Sequence, residues 1–270
     1  MGGQPSYCLQ AFERSFGAER RDGTTALRRG GEKVHSHFFG QSSFATHALA
    51  AERSVVKVDT DVPLELLGPL GCGVQTGAGA VLNALQCLHG TSLAVYGTGA
   101  VGLSAVMAAQ VAGCTTVVAI DPNERRRQLA IELGATHAID PTDGVVDAVI
   151  DASHGGVRYA IDTTGNPDVV RAAIEALGPL GVCGIVGSPA LDAELRVQMH
   201  SVFFGRTVRG IIEGDSVPER FIPEMIRLHE AGRFPFDRLV AFYELDDINR
   251  ALADSEAGVV VKPVIRMPVG

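Results

Sequence analysis

From residue 92 onward, short apolar runs alternate with longer stretches whose apolar positions recur every three or four residues. Ser92–Tyr96, Thr116–Ile120, Thr136–Ile139, Arg158–Ile161, Val182–Val186 and Thr207–Ile212 read as strands. Ala100–Ala112, Glu124–Leu133, Val145–Ala152 and Pro167–Leu177, lying between them, read as helices. Gly134 is the residue expected to end the second helix, and Pro167 falls in a first turn, where a missing N–H is harmless. This alternation predicts an α/β fold on a doubly wound parallel sheet. The tail reads as helix Pro218–Ala231, strand Leu239–Tyr243, helix Asp247–Asp254 and strand Val259–Ile265. Before residue 92 the pattern is weaker. Residues 33–58 carry short strand-like runs, Phe38-Phe39 and Val55–Val58 among them, and residues 1–32, polar and rich in Gly and Arg, read as loop.

From Leu66 to Ile120 there is no Asp, Glu, Lys or Arg. Glycines interrupt this stretch, and Gln75, Thr76, Asn83, Gln86 and His89 are scattered through it. A membrane span needs an unbroken apolar helix. Strands covered by helices on both faces are continuously apolar without any membrane, and that is the reading taken. The 46% hydrophobic content in 270 residues supplies a core and excludes a disordered chain. With 23 Lys and Arg against 31 Asp and Glu, the net charge of -8 leaves no electrostatic footprint for nucleic acid. Cys8, Cys72, Cys87, Cys114 and Cys183 are odd in number and scattered, so a reducing, cytoplasmic setting is expected rather than a disulfide framework. No apolar leader opens the chain, so no signal peptide is expected.

Gly97-Thr-Gly99-Ala-Val-Gly102 follows a strand and opens a helix, the context that turns G-x-G-x-x-G into a dinucleotide fingerprint. Gly97 permits the tight turn, Gly99 lets backbone approach a pyrophosphate, and Gly102 lets helix and strand pack closely. The helix N-terminus then offers N–H groups and positive dipole to phosphate. Asp121 closes the next strand, where a carboxylate accepts from ribose hydroxyls and repels a 2′-phosphate, favouring NAD over NADP. Arg125, Arg126 and Arg127 read either as a solvated helix face or as ligands of a 2′-phosphate. By residue type alone, Cys72 is a small buried hydrophobe, Phe38 and Phe39 are core, and Lys262 is a solvated strand end.

The run Gly68-Pro-Leu-Gly-Cys72-Gly-Val-Gln-Thr76-Gly-Ala-Gly-Ala, just upstream of the fingerprint, resembles the zinc-dependent medium-chain alcohol dehydrogenases. His37-Phe-Phe-Gly-Gln-Ser-Ser-Phe-Ala-Thr-His47, Glu213-Gly-Asp-Ser-Val-Pro218, Gly232-Arg-Phe-Pro-Phe-Asp-Arg-Leu239, and Asp254-Ser-Glu-Ala-Gly258 with Val261-Lys-Pro-Val264 point to the aryl-alcohol (benzyl alcohol) dehydrogenase branch. The resemblance runs from about residue 3 to about residue 267. It implies a Rossmann cofactor domain at 74–212, flanked at 1–73 and 213–270 by parts of a β-rich, GroES-like catalytic domain. It implies that Cys72 is one of three protein ligands of a catalytic zinc and Cys8 a ligand of a structural zinc. Thr76 and Val101 then pack on the nicotinamide, and Val186 and the backbone near Ile211 meet its amide. Asp121 and Arg126 contact the adenosine ribose, Lys262 reaches the pyrophosphate, and Phe38 and Phe39 line the substrate pocket. The implied reaction is NAD-dependent oxidation of a primary, aryl alcohol to an aldehyde by a homodimer or homotetramer.

The family's first zinc cysteine, its His-Glu pair and its proton relay have no counterpart in this sequence. The family's structural-zinc spacing, C-x2-C-x2-C-x7-C, places the cysteine before Cys8 one residue ahead of Met1. The chain is therefore expected to be N-terminally truncated, from an internal start or a shortened reading frame, and impaired by itself. Zinc stabilises a developing alkoxide by several kcal/mol, so its loss costs about three decades in rate or more. His35 and His37, two apart, would share one face of a strand, but two histidines do not define a metal site. The flanks are expected to expose apolar edges. Two other readings stay open: a non-catalytic NAD-binding dimerisation module, and a zinc-free oxidoreductase like the quinone reductases.

Overall fold

The computed structural model describes residues 5–40, 44–141 and 144–268. Helix α1 (Ala11–Phe16), strands β1 (Leu27–Arg29) and β2 (Glu32–Val34), and helices α2 (Leu64–Leu67) and α3 (Gly73–Gly79) open the chain. Then come β3 (Ser92–Tyr96), α4 (Ala100–Ala112), β4 (Thr116–Ile120), α5 (Glu124–Glu132), β5 (His137–Ile139), α6 (Val145–Ala152), β6 (Val157–Asp162), α7 (Pro167–Glu175) and β7 (Leu177–Ile185). Helix α8 (Met199–Phe203), β8 (Thr207–Gly210), α9 (Pro218–Glu230), β9 (Val240–Glu244), α10 (Ile248–Glu256) and β10 (Lys262–Arg266) complete it.

Strands β3 to β8 form one sheet in the order β5-β4-β3-β6-β7-β8, every neighbour parallel. The chain enters at β3, runs outward to β5, then returns to β6 beside β3. This is the Rossmann arrangement, and its crevice lies where the order reverses. The period-2 alternation of each strand divides its apolar side chains between two cores. Leu93 and Val95, Val117 and Ala119, and Tyr159 and Ile161 face the core that α3, α4 and α9 cover. Ala94 and Tyr96, Val118 and Ile120, and Ala160 face the core that includes Val149 of α6 and Val170, Ala173 and Ile174 of α7. Burial on both faces explains the unbroken apolar run of the sequence. Each large aliphatic side chain so buried contributes roughly 1.5–3 kcal/mol. No helix among the described residues is long and apolar enough to cross a membrane.

Helix α4 is buried from Gly102 to Ala109 and ends at Gly113, whose φ of 80° is left-handed. It lies against α3, whose glycines are the reason the two approach so closely: a Cβ on Gly77 would stand 1.9 Å from the Val101 carbonyl oxygen. The Gly-rich stretch 73–84 is thus helical throughout, its last turn (Ala80–Ala84) widened into a π-helix that closes with Leu85 N–H on the Ala80 carbonyl at 3.0 Å.

The structure corrects several expectations before residue 92. Residues 5–32 are not simply loop. Helix α1 forms there because Phe12 and Phe16, four apart, stack at 5.0 Å, and Phe16 meets Phe38 and Phe39 at 5.5 and 5.3 Å. Phe38-Phe39 is not a strand. It is a turn, Phe38–Gly40, in which Phe39 takes a φ of 54° that brings the two rings within 4.7 Å. Val55–Val58 joins no ladder; Val56 and Val58 instead pack on the α3–α4 core. Downstream, α7 stops at Glu175 because Leu177 already starts β7, a nine-residue strand with a register shift against β6. The last strand begins at Lys262 rather than Val259 and pairs only with β9, in parallel. Residues 1–4 of the expected loop, and residues 41–43 of one quoted run, lie outside the described residues.

Candidate functional site

The turn from β3 into α4 has the geometry its glycines allow. Gly97 takes a φ of 86°, and a Cβ on Gly102 would stand 1.9 Å from the Gly97 carbonyl oxygen. Nothing lies within 4 Å of the position a Gly99 Cβ would take, so the backbone there faces open space. No side chain caps α4. Its first-turn N–H groups therefore point toward a cleft of about 530 Å³ lined by Gly97, Gly99, Asp121, Arg126, Thr163 and Thr164, among others.

Asp121 is 3% exposed. One carboxylate oxygen accepts the Thr98 N–H at 2.7 Å and the other the Asn123 N–H at 2.8 Å. A carboxylate has about four acceptor sites, so two remain for hydroxyls in the cleft. The three arginines part ways. Arg127 is held by Asp140 at 2.9 Å and by the Asp121 carbonyl at 2.8 Å. Arg125 is exposed. Arg126 lines the cleft, and its buried Nε has no hydrogen-bond partner. An uncapped helix, spare carboxylate acceptors and an orphaned guanidinium nitrogen fit the phosphate and ribose of a dinucleotide.

A second cleft, of about 670 Å³, lies beside Cys72, just ahead of α3. Phe38, Phe39, Phe44, Gly71, Cys72 and Glu213 are among its walls. Cys72 precedes α3 and is exposed to this cleft. Desolvation by the cleft walls pushes its thiol up, the Glu213 carboxylate adds to this, and the charge of Lys262 opposes it. Sequence reasoning gave Glu213 no role. Its carboxylate lies 3.8 Å from Cys72 Sγ and accepts from Gln75 Nε2 and Thr76 Oγ1, both at 3.2 Å. It sits on a corner where Glu213, Gly214 and Asp215 all have left-handed φ, 52°, 64° and 53°. Each non-glycine there carries a cost of roughly 1–2 kcal/mol. Two contacts hold the corner: Arg209 on Asp215 at 2.7 Å, and the Tyr7 hydroxyl donating to Asp215 at 2.6 Å. The signal available in sequence was the Glu-Gly-Asp run directly after a strand.

Of the other expected residues, Thr76 is 8% exposed and tied to Glu213, and Val101 is half-buried in the first turn of α4. Val186 is half-buried just past β7, its N–H on the Asp162 carbonyl at 2.8 Å. Ile211 is buried, its N–H on the Ile185 carbonyl at 2.8 Å. Lys262 opens β10, within electrostatic reach of Cys72. Cys8 is half-buried near the N-terminus, and His35 lies 3.5 Å from Glu19. Among the described residues no group of three His, Cys, Asp or Glu could hold a metal ion. Cys72 and Cys8 therefore have no completed donor set here, and zinc does not fit these residues by themselves.

The geometry is that of a Rossmann sheet with two clefts, and comparisons with known proteins give its family. The profile of the family described as zinc-binding dehydrogenase matches residues 100–231. The chain is 51% identical to a geraniol dehydrogenase of Castellaniella defragrans, covering 97% of this chain and 72% of that protein. It is 44% identical to a probable alcohol dehydrogenase of a Pseudomonas species, over 79% of this chain and 69% of that protein. A zinc-binding-domain alcohol dehydrogenase from Burkholderia ambifaria superposes with a TM-score of 0.94 at 54% identity, over 99% of this chain and 73% of that one. A benzyl alcohol dehydrogenase from Acinetobacter calcoaceticus does so at 0.93 and 45%, over 98% and 73%. The chain belongs to the zinc-binding alcohol dehydrogenase family, oxidoreductases that act on CH–OH groups.

Proposed function

We propose that this chain binds NAD in the cleft above β3, β4 and β6. It serves the oxidation of a primary alcohol, an aryl alcohol by preference, to its aldehyde in the cytoplasm, with zinc assisting where further donors complete its site. One observation carries the reading. Gly73, next to Cys72 of the second cleft, lies against Ala100 and Val101, the residues that follow the glycine turn of the first. A cofactor laid along the glycine turn would end beside Cys72 and the phenylalanines. The names of a geraniol and a benzyl alcohol dehydrogenase among the relatives support an alcohol as substrate.

NAD, when bound, supplies the hydride acceptor. The N-terminus of α4 takes its pyrophosphate, with Lys262 adding charge, and Asp121 and Arg126 take the adenosine ribose. Thr76 and Val101 wall the nicotinamide, Val186 and the Ile211 backbone meet its amide, and Phe38 and Phe39 flank the substrate. Arg127 is occupied by Asp140, which leaves Asp121 to disfavour a 2′-phosphate. Residues 74–212 act as the cofactor domain, with 1–73 and 213–270 as catalytic-domain parts; Cys72 and Cys8 would each offer one thiolate to a zinc, short of the three protein donors a catalytic site takes. Two copies associate through β8, which lies at the sheet edge beside exposed Phe203, Phe204 and Ile212.

Fluorescence titration with NADH and NADPH, followed by assays of aryl alcohols with NAD and added zinc, tests the reading. Tighter NADH than NADPH binding is expected, and the reverse order overturns the cofactor assignment. NADH binding with no oxidation of any alcohol, with zinc or without, would favour a non-catalytic NAD-binding dimer module.

A further inference from the structure

Two of the five free cysteines, Cys87 and Cys114, belong to one apolar core cluster. Cys87 lies between the π-helical turn and β3, with its N–H on the Val81 carbonyl at 3.0 Å. Cys114 lies between α4 and β4, with its N–H on the Ala109 carbonyl at 2.9 Å. Their segments are clamped together: Gly90 N–H donates to Gly113 O at 2.8 Å, Thr115 N–H to Thr91 O at 2.9 Å, and Thr115 Oγ1 to Gly90 O at 3.1 Å. Each thiol perturbs the titration of the other, as side chains brought together by this clamp would. Thr91 Oγ1 stands 3.9 Å from Cys114 Sγ, and both cysteines sit at the rim of the same apolar cluster, 9% and 7% exposed.

We propose that Cys87 and Cys114 form a reversible oxidation site, which a hydroperoxide converts to a disulfide. The chain between them contains β3, the glycine turn and α4. The cross-link would therefore staple the βα unit at the base of the cofactor cleft. This inference does not depend on which dinucleotide or alcohol the protein uses.

Cys114 has the Thr91 hydroxyl 3.9 Å from its sulfur to stabilise a thiolate, and its interaction with Cys87 lowers the Cys114 thiol while raising that of Cys87, so Cys114 is assigned as the attacking sulfur. Its thiolate takes one peroxide oxygen. The O–O bond breaks, and the other oxygen leaves, protonated, as water or an alcohol. Cys87 then attacks the resulting sulfenic acid. The S–S bond forms, the S–O bond breaks, and the oxygen departs as water, carrying the proton of Cys87. Two thiols lose two electrons and two protons, and one hydroperoxide is reduced. Cys183 is no competitor: it is fully buried, and burial pushes its thiol up to about 12.

The test is to treat the folded chain with hydrogen peroxide, block the remaining thiols, and digest without reduction. A linked Cys87–Cys114 peptide is expected, lost on adding dithiothreitol. Closing a loop of this length should raise Tm by roughly 5 °C. Cys114→Ser should abolish both the linked peptide and the Tm response. If that variant does not fold, Cys87→Ser serves, and Cys114 should then stall as a sulfenic acid that a dione probe captures. Oxidation confined to Cys8 and Cys72 overturns the proposal. So does a linked peptide joining any other pair, or passage of Cys114 to sulfinic acid in the unmutated chain with no linked peptide.

Discussion

Strand β3 and the segment 5–58 both carry aromatic and aliphatic side chains, yet these end up in different environments. Four of the five residues of β3 are buried, and the apolar ones divide between two cores. Between residues 5 and 58, Thr25 is the single buried residue among those described. Phe12, Phe16, Phe38, Phe39 and Phe44 all remain at least half exposed or close to it, at 63%, 49%, 52%, 50% and 66%. The rings of Phe12, Phe16, Phe38 and Phe39 stack on one another instead of on a core. The difference is one of partners. A parallel sheet with helices on both faces covers its own apolar surface, whereas a two-stranded hairpin such as β1–β2 has nothing to close against.

The largest effect should come from the sheet. Leu93→Ala removes a fully buried side chain from β3, and large-to-small changes of this kind cost about 2–5 kcal/mol. Chemical denaturation should show a lower midpoint with an unchanged slope. A loss below about 1 kcal/mol would mean that the sheet is not the source of stability.

Next in size is Asp121→Asn, which keeps the shape but removes the charge from a carboxylate that takes two backbone N–H bonds. Charge-assisted hydrogen bonds to ribose are worth roughly 1.5–3 kcal/mol, and each 1.4 kcal/mol is a tenfold change in affinity. NADH binding should weaken about tenfold or more while NADPH binding changes less, as read by fluorescence titration. Equal losses for both cofactors would remove Asp121 from the specificity argument and point to a structural role for its backbone contacts.

The same contrast governs how much could be read before the structure. Ser92–Tyr96, Ala100–Ala112, Thr116–Ile120 and Val145–Ala152 emerge with the boundaries that periodicity suggests, because neighbours along the chain set those periodicities. The fingerprint glycines and Asp121 were legible for the same reason: their roles depend on a turn and a strand end a few residues away. The turn at Phe39 was not legible, since its left-handed φ is stabilised by rings at positions 16 and 38. Nor was Glu213, which meets Cys72 and Thr76 from more than a hundred residues away. The second cleft depends on contacts of that kind, so its chemistry had to come from resemblance where that of the first cleft could come from spacing.

The smallest effect on stability should come from the exposed cluster. Phe16 touches Phe12, Phe38 and Phe39 while remaining 49% exposed, and aromatic pairs add about 0.5–1.5 kcal/mol beyond area burial. Phe16→Ala should therefore leave the global unfolding midpoint almost where it was. It should, however, speed proteolytic cleavage within 5–58, since local opening is governed by the few contacts a segment makes. A global loss as large as that of Leu93→Ala would show that the rings belong to the same cooperative unit as the sheet. Cleavage at an unchanged rate would show that the hairpin and the 3.3 Å Lys33–Glu19 contact, rather than the rings, hold the segment in place.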